Sequence, residues 1–187
     1  MRRYARIGIA AGLLVAGVGA WGLFRPELLW INARVSESAP EAPPVASTDQ
    51  SATVANVLAT GRFHGVAHKS MGGAAIHQLA DGRRVLRFTD FETSNGPDVH
   101  VYLVAAQDAT DSATVTRAGF VELGPLKGNI GDQNYELPAS VDLGRYRAVT
   151  IWCKRFSVNF ATAPLMPHAG AISSATNTHN THEGSQS

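Results

Sequence analysis

One stretch constrains the fold more than any other: Arg147–Ala161, RAVTIWCKRFSVNFA. Val149, Thr150, Ile151, Trp152, Phe156, Val158 and Phe160 are β-branched or aromatic, which suits a pleated, half-buried surface. The run also carries the chain's only cysteine, Cys153. Its alternation has a flaw. Val149, Ile151 and Cys153 share one parity, while Phe156, Val158 and Phe160 have the other. Successive side chains of a strand point to opposite faces, so one continuous strand cannot bury both sets on one face. Either both faces are covered, or a bulge near Lys154–Arg155 resets the register. The run reads as the strand that anchors a β domain, with Cys153 as its point of chemical interest.

The sequence before it completes an all-β pattern. Gly61–His68 reads as a first strand, followed by a turn at Lys69–Gly73 and a second strand at Ala74–Leu79. Asp81-Gly82 is a strong hairpin signal leading into Arg84–Phe91. Glu92–Asp98 (ETSNGPD) is dense in turn formers. Val99–Ala105 is a clear strand, Gln107–Thr116 a polar loop, and Gly119–Leu126 a strand ended by Gly124-Pro125. Lys127–Gln133 reads as a turn, Asn134–Leu137 as a short strand, and Ser140–Arg145 as a loop or a single helical turn. About seven or eight short strands with frequent Gly/Pro turns and no long helical period predict an antiparallel β-sandwich or barrel over residues 57–165.

Residues 1–31 predict a membrane anchor. Arg2, Arg3 and Arg6 precede an uncharged run, Ile7–Phe24, which Arg25-Pro26 closes. As a helix that run spans roughly 27 Å, near the hydrocarbon thickness of a bilayer. The charge bias places the N-terminus in the cytoplasm and the rest outside, in a periplasmic or cell-surface location. A cleaved signal peptide is the rival reading, with Val18-Gly19-Ala20 as a tolerable site, but the apolar run continues past it. Leu28, Leu29, Trp30 and Ile31 add an interfacial patch. Gly8 and Gly12 form a single GxxxG, which small-residue composition also explains. Residues 32–56, rich in Pro, Ser and Ala, read as a flexible tether, and residues 166–187 as a disordered tail.

Composition removes several function classes. The net charge of +1 gives no electrostatic case for nucleic acid. One cysteine cannot make an intramolecular disulfide. There is no phosphate-cradling glycine loop, no nucleophile elbow and no CxxC. Asp90, Glu92, Asp98, Glu122, Asp132 and Glu136 form no recognisable pair or calcium loop, so the chain does not read as a classical enzyme.

Cys153 and the histidines remain. A thiol reacts as thiolate, and nearby cations such as Lys154 and Arg155 favour that form, although alternation points Lys154 to the opposite face. A buried cysteine is equally well a small, inert hydrophobe. His64 and His68 share parity, and His77 and His100 fall on other strands. His64, His68 and His100 are the candidates for helper or cofactor-binding groups. A copper site of one thiolate, two imidazoles and an axial sulfur would draw on Met166 and His168, but the tight loop spacing such sites use is missing. No metal site is therefore expected; the tail histidines His168, His179 and His182 fix no coordination geometry. Haem needs only a histidine, a His/Met pair or a cysteine, so spacing leaves it open.

A set of motifs in order then resembles a known family. Phe63-His64-Gly65, Leu86-Arg87-Phe88 with Asp90-Phe91, Gly96-Pro97-Asp98-Val99, Leu126-Lys127-Gly128, Gly131-Asp132-Gln133-Asn134-Tyr135 and Val149-Thr150-Ile151-Trp152-Cys153 look like the DM-thirteen electron-transfer domain over about Val57–Leu165. Ala161 stands where that pattern leads one to expect glycine. The resemblance implies a β-sandwich related to DOMON domains and an extracytoplasmic redox role. The cysteine would act as a bare thiol or as a prosthetic-group ligand, and only Cys153 carries over by position. Two functions stand side by side: electron transfer centred on Cys153 with a redox partner protein, or a non-enzymatic binding or scaffolding sandwich in which Cys153 is core packing.

Overall fold

The computed structural model describes residues 2–24, 31–40 and 56–168. The patch at residues 28–30, most of the expected tether (41–55) and nearly all of the tail, with His179 and His182, lie outside them. Helix α1 runs Arg2–Phe24, and of its side chains those of residues 11–22 are described. Among the described residues, which within α1 leave out the side chains of residues 2–10, 23 and 24, no helix is long and apolar enough to cross a membrane.

The rest is mostly β. Among the described residues eleven strands follow: β1 Arg34–Ser36, β2 Asn56–Arg62, β3 His64–Gly65, β4 Met71–Gln78, β5 Arg84–Glu92, β6 Val99–Val104, β7 Phe120–Pro125, β8 Ile130–Leu137, β9 Ala148–Cys153, β10 Val158–Pro164 and β11 Met166–Pro167. Helix α2, Ser112–Ala118, lies between β6 and β7. One sheet has the order β1-β8-β5-β4-β2-β11, the other β3-β10-β9-β6-β7. Ile76, Leu86 and Phe88 of the first meet Val101, Leu103, Val149, Ile151 and Cys153 of the second in a shared core. Phe63, Phe88, Phe91 and Tyr135 fill it with rings whose centroids lie 4.9–5.4 Å apart. Each such pair contributes about 0.5–1.5 kcal/mol beyond its area.

Eleven strands replace the expected seven or eight for specific reasons. The Arg147–Ala161 run is not one strand. It is the β9–β10 hairpin, folded back at Lys154–Ser157, with Ser157 in the left-handed region at φ 53°. The reversal puts Val158 and Phe160 on the same core as Val149, Ile151 and Cys153, with Cys153 paired to Val158, and leaves Phe156 exposed in the turn. A bulge does occur, but between Asn159 and Ala161, where it turns both Phe160 and Ala161 inward. The expected first strand is also two strands in two sheets. The chain leaves the first sheet at Arg62, buries Phe63 in the core, and joins the second at His64.

The polar loop expected at Gln107–Thr116 contains the start of α2. Asp111 caps it by accepting the Thr114 N–H at 2.6 Å. The signal was present as an Asp before a short run, but Thr and Val are weak helix formers and masked it.

The stretch expected as a tether begins as a strand. β1 pairs in parallel with Ile130–Asp132 of β8, so β8 starts four residues earlier than the sequence suggested. Polar side chains bolt β1 down. Lys127 Nζ lies 2.7 Å from Glu37 Oε1, and Glu37 Oε2 accepts the Asn134 N–H at 2.6 Å. Arg87 donates to the Glu37 and Ser38 carbonyls and pairs with Asp132 at 2.6 Å. Burial pushes the Glu37 carboxyl up, but the Lys127 and Asn134 hydrogen bonds and the Lys127 and Arg87 charges outweigh it, leaving a net lowered pKa.

Gly131 makes the approach possible. It has φ +103°, and a Cβ there would overlap the Val35 carbonyl. Gly131→Ala is expected to release β1 and destabilise the domain by about 1–3 kcal/mol, seen as a lower unfolding midpoint and faster amide exchange at Val35 and Ser36. Because the folded Glu37 pKa is depressed, its contribution is present above the unfolded value of 4.5 and is lost as pH falls through the folded one. The protection of the same amides, taken against their intrinsic exchange rate at each pH, should therefore fall on acidification below about pH 4.5, and less so in Glu37→Gln.

Candidate functional site

Cys153 ends β9, the middle strand of the five-stranded sheet, in which every residue is buried. Its neighbours by register are Val99 of β6 and Val158 of β10. Val149, Ile151 and Cys153 face the inter-sheet core. Ala148 and Trp152 face outward into a second apolar cluster with Tyr102, Val104, Ala109 and Val115, under α2 and the loop before it. Both faces of β9 are thus covered. The sulfur is closed in, with Cys153 at 0% exposure.

The adjacent cation does not reach it. Lys154 N–H donates to the Asp98 carbonyl at 2.9 Å, while its ammonium lies 3.2 Å from Glu122 on the outer face. This is the orientation that strand alternation required.

The three candidate histidines do not converge on Cys153. His64 Nε2 lies 3.0 Å from Asp108 Oδ2 on the outer face, tying β3 to the loop before α2. His68 packs against Phe160 with ring centroids 4.0 Å apart and the planes tilted by 50°, beside the core that holds the thiol. His100 pairs by register with Trp152 and so points outward. Its Nε2 is 2.9 Å from Asp98 Oδ1. Its Nδ1 is 2.7 Å from Glu122 Oε1, at an angle that leaves that nitrogen without a hydrogen bond. His77, on β4, has its pKa pushed down by burial and by Arg87.

The outer face of this sheet carries the arrangement that sequence reasoning missed. His64, Thr162, Thr150, Tyr102 and Glu122 are successive cross-strand partners, a single row over five strands. Tyr102 stacks on Phe120 at 4.3 Å and 10°. Burial pushes its phenol up to about 12, with the Glu122 and Asp98 charges adding to the effect. Asp98 and His100, two apart in sequence at the start of β6, were readable as neighbours; Glu122 joins them only through the β6–β7 register.

Cofactor ligation at Cys153 was tested against its surroundings. A haem needs space at its axial ligand, and Cys153 lines none of the four principal clefts, which range from about 220 to about 590 Å³. The packed core around the sulfur does not fit a haem. Met166 and His168 lie by β2, on the edge of the other sheet. Among the described residues no group of three or more His, Cys, Asp or Glu side chains could hold a metal ion.

A family model described as Electron transfer DM13 matches residues 62–165, more than half of the chain. The chain belongs to that family. The match covers β3 to β10 and so includes Cys153, the outer cluster and all of the inter-sheet core but Leu58 and Ala59 of β2. Strands β1 and β11 and most of β2 lie outside the DM13 span. No curated protein and no solved structure was found to match the chain.

Two outcomes follow for the DM13 domain. The Cys153 thiol should resist a water-soluble disulfide reagent in the native state and react at once in urea, and Cys153→Ala should cost about 1–2 kcal/mol of stability. The raised Tyr102 pKa means that folding favours the protonated phenol. Its contribution is complete below pH 10 and falls as pH rises toward about 12. Urea unfolding across that range should show a slope that Tyr102→Phe reduces.

Proposed function

We propose that this chain is an electron-transfer domain held at the outer face of a membrane by α1, with Cys153 as its redox centre. The match to the electron-transfer family over residues 62–165 carries the reading. Cys153 is the only cysteine, so any thiol chemistry of the chain is its own. Its burial decides the form of that chemistry. A disulfide exchange must begin with an opening of the β9–β10 hairpin, because thiolate attack requires access to the sulfur. After opening, the Cys153 thiolate bonds to one sulfur of a partner's disulfide while the partner's S–S bond breaks and its other sulfur leaves as thiolate. With no second cysteine here, a second partner's dithiol resolves the mixed disulfide: one of its thiolates bonds to the first partner's sulfur and releases the Cys153 thiolate, and its other thiolate then closes its own disulfide, so that two electrons pass from the second partner to the first. The uncharged Ile7–Phe24 run behind three arginines supports the anchor and its orientation.

A second reading rests on the same burial. At 0% exposure among Val149, Ile151 and Phe88, the thiol packs as a small hydrophobe, and the sandwich would be a membrane-held binding module.

Square-wave voltammetry of the full chain adsorbed from detergent separates them. A redox couple present in the wild type and absent in folded Cys153→Ala supports the redox centre. No couple, or one that survives the substitution, leaves Cys153 as packing.

A further inference from the structure

We infer that the end of the sandwich where the chain arrives from α1 is seated on the lipid surface, with Phe156 entering the bilayer interface. The inference rests on the membrane anchor proposed above. It starts from chain length. Helix α1 ends at Phe24, and the chain is docked on the sandwich again from Ile31. Seven Cα–Cα steps separate them, a reach of at most about 25 Å even if fully extended. The segment expected as a long tether is thus no leash. The Ala33 N–H donates to Asn129 Oδ1 at 2.8 Å, Asn32 Oδ1 accepts from Asn95 and Asn129, and β1 follows directly. Whatever membrane holds α1 must lie close to this end of the domain.

The same end bears the β9–β10 turn. Ile31, Asp98 and His100 line one cleft. The Asp98 carbonyl accepts the Lys154 N–H at 2.9 Å, so the turn springs from the loop that Ile31 touches. Phe156 at its tip is 61% exposed, and Ile31 is 60% exposed. Singly exposed apolar side chains are ordinary. Two on the end that faces the bilayer are not independent of it, because aromatic and aliphatic side chains gain by entering the interface. Lys154 is held by Glu122 beside the tip, where its stem can lie along the apolar boundary while its ammonium stays in water. The opposite end is built differently. There the β4–β5 hairpin presents Asp81 and Arg83, paired at 2.8 Å.

The test uses the full chain in phosphatidylcholine vesicles. Flotation reads the anchor alone. A nitroxide at Arg155→Cys, with Phe156 intact, reads depth by its relative accessibility to oxygen and to a water-soluble nickel complex. The expected result is flotation, with the nitroxide several-fold more accessible to oxygen than the same label at Ala80→Cys, and return to the aqueous ratio when Phe156→Ser is added. Flotation with an aqueous label at position 155 would overturn the seating and leave the anchor standing. An interfacial label unmoved by Phe156→Ser would overturn the role of Phe156. Loss of flotation would overturn both the anchor and the seating.

Discussion

The molecule depends on the burial of one strand from both sides. β9 has the inter-sheet core on one face and the α2 cluster on the other, and hydrogen-bonded neighbours along both edges. A strand in that position cannot carry a charge or an unfilled volume on either face without loss, because packed interiors relax only partly around a defect. Its sequence, AVTIWC, is apolar but for one threonine. The chemical identity of Cys153 is therefore entangled with its packing. The same enclosure that makes the thiol a core residue fixes where it stands relative to β6 and β10.

That enclosure also organises the outer face. Since Cys153 points inward, Trp152 must point outward, and register then carries His100 to the same side. The loop before α2 is tied across this face by His64 to Asp108 and by Asn159 Nδ2 to the Ala109 carbonyl at 2.6 Å. Beneath it, the hydroxyls of Thr150 and Thr162 and the side-chain oxygen Oδ1 of Asn159 are buried without hydrogen-bond partners among the described residues. Groups of this kind are costly unless ordered water reaches them. The outer layer is thus the less completely satisfied of the two.

Much of this was legible from residues alone, and the rest was hidden for physical reasons. Arg84–Phe91 and Val99–Ala105 showed their strands because alternation and turn residues agreed. The reversal at Lys154–Ser157 was hidden because the turn contains none of Gly, Pro, Asn or Asp and takes its positive φ at a serine. β1 was hidden because three residues on an edge need no strong propensity when Arg87, Lys127 and Asn134 anchor Glu37, the residue that follows them. For the site, Cys153 was marked by being alone, and the outward Lys154 by alternation. The scattering of His64, His68 and His100 could not be read, because it depends on which sheet each strand joins. The cluster around Glu122 could not be read either, because register between β6 and β7 is a tertiary property.

The two terminal strands carry a further consequence. β1 and β11 are two or three residues long, and they occupy the two outer positions of the six-stranded sheet. Unpaired backbone along a sheet edge is a template on which another chain can add. Here segments from outside the family span, one well before it and one directly after it, seal both edges. A protein trimmed to residues 62–165 keeps β8, β5 and β4 of that sheet but loses β1, β11 and nearly all of β2. Its exposed ladders would recruit other copies, so self-association of the trimmed domain would report the cut and not the behaviour of the whole chain.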